Sequence, residues 1–172
     1  AFYYLSQIHA ADNNFELAKE HIEKALQCDP ENTDYLGDYI TIEQALRNYE
    51  HCIELCSTLL EEMADNNFAL NIRGFSYHKL GDAEAAKADF LTCTRENPTD
   101  FMAWNYLGLL LTEEGKYAEA QEAIKQSIRN NPRFSDAYAN WGYLFLKQED
   151  SENALLALNK ALEIDPENAD AY

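Results

Sequence analysis

Proline and glycine are scarce in this chain of 172 residues, at 4 and 6, and basic side chains are outnumbered, with 13 Lys and Arg against 31 Asp and Glu. So few turn formers exclude a many-stranded sandwich and favour helices joined by short turns, an all-α fold. The net charge of -18 repels phosphate backbones and anionic headgroups over a Debye length of about 8 Å at physiological salt. No nucleic acid and no membrane is therefore expected among its partners. No apolar run approaches the ~20 residues of a membrane span, and no charged segment leads into an apolar one as in a signal peptide. The acid is unevenly spread: residues 1–66 carry 3 basic and 14 acidic groups, residues 67–134 carry 8 and 9, and residues 135–172 carry 2 and 8. Four cysteines without a disulfide framework lean toward a reducing, cytoplasmic setting. An initiator Met is missing and "AFYYLSQIHAA" is already helical in pattern, so both ends read as cut from a longer protein, with any signal or anchor in the part beyond.

What is present is a period. "FALNIRGFSYHKLGDAEAAKADFLTCTRENPTD" (68–100), "MAWNYLGLLLTEEGKYAEAQEAIKQSIRNNPRF" (102–134) and "DAYANWGYLFLKQEDSENALLALNKALEIDPEN" (136–168) align without a gap at a spacing of 34. Small residues and prolines recur in register: Gly74, Gly108 and Gly142; Ala86, Ala120 and Ala154; Pro98, Pro132 and Pro166. Residues 1–32 enter the same frame as a partial repeat, with Ser6 in the glycine column. Residues 33–66 form a degenerate one, with Ile40 in that column and Glu43 in an aromatic one. Its first helix has a second reading, with Gly37 in the glycine column and a three-residue phase shift. Each repeat reads as helix, turn, helix. Gly81 and Gly115 mark the turns, where positive φ carries no Cβ penalty, and Asn13, Arg47 and Glu149 hold that place elsewhere. The small columns let helices approach closely, with Tyr77, Phe90, Leu107, Ile124, Trp141 and Leu158 filling the space beside them.

These columns resemble those of the tetratricopeptide repeat along the whole chain, most closely in "AWNYLGLLLTEEGKYAEAQEAI" and "ALLALNKALEIDPENADAY". The resemblance implies a right-handed superhelical solenoid of about five repeats, 1–32, 33–66, 67–100, 101–134 and 135–168, forming a single array 1–172. Residues 169–172 would start a further helix. It also implies a groove lined by the first helix of each repeat, and a non-catalytic scaffold binding a peptide segment or partner protein there. The groove positions outside the packing columns are Phe68, Asn71, Ile72 and Phe75 in one repeat, Met102, Asn105, Tyr106 and Leu109 in the next, and Asn140, Tyr143 and Lys147 in the last. Asn71 and Asn105 share a column and Asn140 lies one residue further round, so their amides are placed to hold a peptide backbone while the aromatics contact its side chains. Relatives that grip the carboxylates of chaperone tails use Lys, Asn, Asn, Lys and Arg in such columns. Here the columns hold Tyr3, Gln7, Asp38, Phe68 and Ile72, or Gly37, Thr41, Ile72, Met102 and Tyr106, or Asn71, Phe75, Tyr106, Asp136 and Asn140. With no cation among them, carboxylate-clamp chaperone tails are disfavoured. The acidic surface suits a basic or neutral partner. Self-association through uncapped ends, and service as the recognition arm of a larger enzyme such as a glycosyltransferase, are the alternatives.

The stretch "RNYEHCIELCSTLLEEM" (47–63) is the one that invites chemistry. In the repeat frame Cys52 shares a column with Ala120 and Ala154, and Cys56 with Ile124 and Leu158, so both thiols are expected in the packing as small hydrophobes. His51 falls in an outward column. Two cysteines four apart are too few for a zinc site and badly oriented for a disulfide. No metal, cofactor or catalytic residue is expected. The four histidines fall in separate helical settings, and the carboxylates sit at solvated positions.

Overall fold

The computed structural model describes residues 1–171; Tyr172, the end of the expected further helix, lies outside the described residues. Among these there are ten α-helices and no strand: α1 Phe2–Ala11, α2 Phe15–Cys28, α3 Thr33–Ala45, α4 Tyr49–Glu62, α5 Asn67–Leu80, α6 Ala83–Glu96, α7 Phe101–Glu113, α8 Tyr117–Asn130, α9 Ser135–Lys147 and α10 Ser151–Ile164, followed by a 3₁₀ turn at Ala169–Ala171. The second helices begin at residues 15, 49, 83, 117 and 151, each 34 after the last. The chain divides into two compact units, residues 1–86 and 87–172.

Local chemistry sets the helix ends. Asn32, Asn66, Asp100 and Asp150 accept backbone N–H bonds from the first turns of α3, α5, α7 and α10, each satisfying a donor that the helix leaves unpaired. The five turns between paired helices all contain a left-handed residue, at Asn13 (φ 59°), Arg47 (φ 61°), Gly81 (φ 86°), Gly115 (φ 76°) and Glu149 (φ 61°). These are the five positions at which the sequence predicts the turn.

In residues 87–172 the core is made where a first helix comes close to its own second helix. A Cβ built on Gly108 would stand 2.6 Å from Ile124 Cγ1, and one on Gly142 would stand 2.6 Å from Leu158 Cδ2. Ala120, Ile124, Ala154 and Ala161 are buried at these crossings. Of the side chains expected to fill the space, Phe90, Leu107 and Ile124 are buried, whereas Trp141 and Leu158 keep some exposure.

In residues 1–86 the same crossings are filled differently. Ser6, in the glycine column, is buried and donates to Ala18 O at 2.9 Å. Ile40 is fully buried and clusters with Cys56, Leu59 and Ala69, while Cys52 Sγ lies 3.9 Å from Ile40 O. Gly37 would meet nothing within 4 Å if it bore a Cβ. The unshifted register therefore holds in α3, and Ile40, not Gly37, occupies the crossing.

Three expectations about polar residues need correction. Glu43 is fully buried, not solvated: its Oε1 meets Lys19 Nζ at 2.7 Å and His51 Nδ1 at 3.3 Å, and its Oε2 accepts from Asn48 Nδ2 at 2.6 Å. His51 accordingly turns toward Glu43 and packs edge-on against Tyr39, with ring centroids 5.4 Å apart. His9 and His21, distant in sequence, stack at 5.3 Å across the first hairpin. In each case a partner comes from another helix, and for Glu43 the cation Lys19 comes from another repeat, which the column frame of a single repeat does not register.

Candidate functional site: the exposed face of the first helices

In the N-terminal unit α5 presents the predicted positions at half-burial or beyond. Phe68 is 41% exposed, and Asn71, Ile72 and Phe75 are half-buried. The Phe75 ring meets Tyr49 edge-on at 6.0 Å and carries the Lys79 ammonium 5.1 Å above its centroid. This is a cation–π arrangement made by residues four apart on one helix.

In the C-terminal unit α7 and α9 carry the remaining candidates. Met102 is exposed and Leu109 half-buried, while Tyr106 stacks on Phe90 at 5.2 Å. The Tyr143–Lys147 pair repeats the geometry of Phe75 and Lys79, again at 5.1 Å. Asn105 departs from the expected ladder: it is 1% exposed, and its Oδ1 accepts from Asn140 Nδ2 at 2.9 Å. A side chain so buried cannot meet a peptide; Asn105 instead fixes the orientation of Asn140. Around Tyr106 the face is acidic. Burial first, then Asp136 and Asp170, push its phenol up to about 12. Burial likewise raises the Asp136 carboxyl although Asn168 Nδ2 donates to it at 2.7 Å.

Two surfaces were not singled out by the sequence. One lies between α1 and α3, where a cleft of about 260 Å³ is lined by Ser6, Gln7, Ala10, Phe15, Asp38, Thr41 and Ile42. Gln7 Nε2 donates to Tyr3 Oη at 2.9 Å and to Asp38 Oδ2 at 3.3 Å at its mouth. Gln7 stands in the column of Phe75, Leu109 and Tyr143, a signal visible in the alignment but read there only as the lack of a cation. The other surface, about 380 Å³, runs beside α7 and α8 over Leu91, Trp104, Leu107, Leu111 and Ala123. A smaller cleft of about 280 Å³ recurs 34 residues on over Tyr138, Trp141, Phe145, Leu156 and Ala157. Columns assigned to packing are covered there on one side only. Lys87 and Lys116 border the larger cleft, and both pair with Glu114, whose carboxyl they hold below the usual range.

Three of the four thiols, Cys52, Cys56 and Cys93, are masked in the packing. Burial pushes Cys52 up to about 11 and Cys93 up to about 12, so both stay protonated at neutral pH.

Family models described as "Tetratricopeptide repeat" match residues 1–32, 69–100, 90–122 and 111–169. The chain belongs to the tetratricopeptide repeat family. The residues between the first two of these matches, 33–68, contain the whole of the repeat that carries Ile40 and Glu43. Among curated proteins, it is similar to the UDP-N-acetylglucosamine--peptide N-acetylglucosaminyltransferase of Giardia intestinalis, at 30% identity over 61% of this chain and 7% of that protein. It is also similar to the Hsp70-Hsp90 organizing protein of Triticum aestivum, at 24% identity over 92% of this chain and 34% of that one. The chain thus spans about a third or less of either relative. Among solved structures, it shares its fold with a thermophilic tetratricopeptide protein from Thermus thermophilus, with a TM-score of 0.81 and 20% identity over 99% of this chain and 93% of that one. YrrB, described as having an unusual peptide-binding site, follows at a TM-score of 0.70 and 22% identity over 99% and 88%.

Proposed function

We propose that the chain is a non-catalytic scaffold that holds a peptide segment or partner protein against the exposed faces of its first helices. One observation carries the reading: Phe75, Leu109 and Tyr143, 34 residues apart, stay partly exposed and apolar in a column that the packing does not require. A solvated helix face has no reason to keep such residues in three successive repeats, whereas a peptide-binding face needs apolar anchors; the first two repeats hold Gln7 and Thr41 in that column. Lys79 and Lys147 lie over two of the rings and supply amphipathic cover that a ligand can displace. The peptide-binding site named for YrrB, on the same fold, supports this reading. Among the described residues no helix is long and apolar enough to cross a membrane, and the partner sought is a protein, in the cytoplasm. Chaperone-tail carboxylates remain disfavoured because the columns that would grip them hold Tyr3, Gln7 and Asp38.

The test is a peptide array probed with the labelled chain. Phe75→Ala and Tyr143→Ala should each weaken the best binders by about fivefold or more, as loss of an interface anchor does, with unchanged helicity. Asn105 is left intact because its burial makes it structural. An array without a binder would sink the reading. The match to the Giardia transferase favours a second reading, the recognition arm of a glycosyltransferase. A parent reading frame without a transferase domain would remove it.

A further inference from the structure

We infer that the cleft between α1 and α3 takes a lysine or arginine side chain of the bound peptide, its aliphatic stem over Ala10, Phe15 and Ile42 and its charged head at Asp38 and Asp34. This rests on the peptide-binding reading and adds to it the partner's chemistry. The cleft has two chemically distinct parts. Ala10, Phe15 and Ile42 give it apolar walls, the buried Ser6 hydroxyl is spent on Ala18 O, and Gln7, Asp38 and Thr41 supply its polar side. Thr41 is committed to Gly37 O at 3.0 Å. Gln7 spends its amide on Tyr3 and one oxygen of Asp38, which is a neutral contact and leaves the carboxylate's charge standing.

Among the described residues no ion pair joins Asp38 or Asp34 to a basic side chain. Residues 1–66 contain only Lys19, Lys24 and Arg47 as Lys or Arg. Lys19 is held by Glu43, Lys24 reaches Glu20, and Arg47 sits in the turn after α3. Asp34 and Asp38, one helical turn apart on α3, therefore stand as a like-charged pair, which a helix on its own does not favour. Both act on Tyr3, whose phenol is raised first by burial and then by Asp38 and Asp34. The Tyr3 ring lies 4.5 Å from that of Tyr35 and 5.8 Å from that of Tyr4, so π-faces stand beside the carboxylates. Anionic oxygens and tyrosine faces above an apolar floor match a side chain that is apolar along its stem and cationic at its tip. Asp38 is peculiar to this hairpin pair, because Ile72, Tyr106 and Asn140 occupy its column further along, whereas the Asp34 column regains an acid at Asp136.

The experiment uses the full chain and four pools of acetylated, amidated heptapeptides with randomised flanks, whose central residue is arginine, lysine, norleucine or glutamate. Arginine and lysine pools should bind about tenfold more tightly than the norleucine pool at low salt, and the gap should narrow at high salt. Asp38→Asn should close the gap, while Glu62→Gln, an exposed carboxylate on α4 with the same effect on net charge, should leave it. Amide shifts on titration should centre on Gln7, Asp38 and Thr41. Equal binding of the arginine and norleucine pools, or an undiminished gap in Asp38→Asn, overturns the cationic side chain and leaves peptide binding standing. Equal losses in Asp38→Asn and Glu62→Gln reduce the effect to general attraction and overturn the site. Failure of every pool overturns both readings.

Discussion

Residues 33–66 and residues 87–172 fill one crossing in opposite ways. In residues 87–172 the first helix yields and the second fills, with Gly108 under Ile124 and Gly142 under Leu158. In residues 33–66 the first helix fills and the second yields, with Ile40 against Cys56. The quantity kept from repeat to repeat is the summed volume at the crossing, as dense packing demands, and not the identity of either residue. Cys56, which in "HCIELC" resembles a reactive thiol, is the small half of that exchange.

Breaking the exchange from the Ile40 side should produce the largest effect. Ile40→Gly removes a fully buried side chain from a helix interior, a loss of about 5 kcal/mol from cavity and backbone terms together. Cys56→Ile alone overfills the same space and should cost about 1–3 kcal/mol. Combining the two recreates the Gly108 and Ile124 arrangement and should restore well over half of the single-variant loss, a coupling read from a double-mutant cycle in urea. Additive losses would refute volume exchange.

The second difference between the units is charge. Leu111 and Phe145 stand in the column where Glu43 lies buried against Lys19 and His51. Burial by itself would raise the Glu43 carboxyl, but the bonds from Lys19 and Asn48 and the charges of Lys19 and His51 outweigh it and hold it below its ordinary value. A depressed carboxyl contributes stability that is present above its unfolded pKa and is lost as pH falls through the folded one. Lys19→Met should cost about 3 kcal/mol at pH 7, since it strands a buried charge. It should also reverse the slope: with burial left in command the folded carboxyl is raised, and stability should then rise as pH falls from 7 toward about 4, the ordinary range of a carboxyl. Lys19→Met with Glu43→Leu, which imports the Leu111 solution, should regain most of the loss. Denaturation midpoints at neutral and mildly acidic pH decide each point.

What the sequence showed and what it hid follow one physical line. The 34-residue frame located the five left-handed turns, the small crossings and the burial of Cys52 and Cys56, because each is set within one hairpin by backbone geometry or close approach. It did not show the burial of Glu43 or Asn105, because their partners, Lys19 and Asn140, come from neighbouring hairpins 24 and 35 residues away. An isolated column cannot tell a solvated carboxylate from a neutralised one. The same blindness hid the α1–α3 cleft, whose residues each look ordinary in their own repeat.

A smaller effect sharpens the register of the degenerate repeat. Gly108→Ala places a methyl 2.6 Å from Ile124 Cγ1 and should destabilise by about 1–3 kcal/mol. Gly37→Ala adds its methyl to open space within α3 and should stabilise by about 0.5–1 kcal/mol, since alanine loses less conformational freedom in a helix. Opposite signs for two mid-helix glycines are the mark of one lying in the crossing and the other outside it. Two losses of similar size would restore the shifted register.

The smallest comparison is between turns. Gly81 and Gly115 take positive φ without a Cβ, whereas Arg47 and Glu149 do so at φ 61° each, against the carbonyl contact that disfavours left-handed backbone in L-residues. Glu149→Gly removes that contact and also removes a negative charge from the carboxyl end of α9, where the helix dipole disfavours it. The gain in each variant is offset by the greater freedom of glycine in the unfolded chain, so a net stabilisation of up to about 1 kcal/mol is expected. Arg47→Gly gains the same backbone relief but loses a cation from the matching end of α3, where the dipole favours it, so its gain should be the smaller of the two. Melting temperatures of the two variants, measured in low and high salt, separate the terms. The backbone term persists in salt, the dipole term fades, and the two gains should converge. A gain for Arg47→Gly exceeding that of Glu149→Gly at low salt would show that side-chain contacts, and not the helix end, govern these turns.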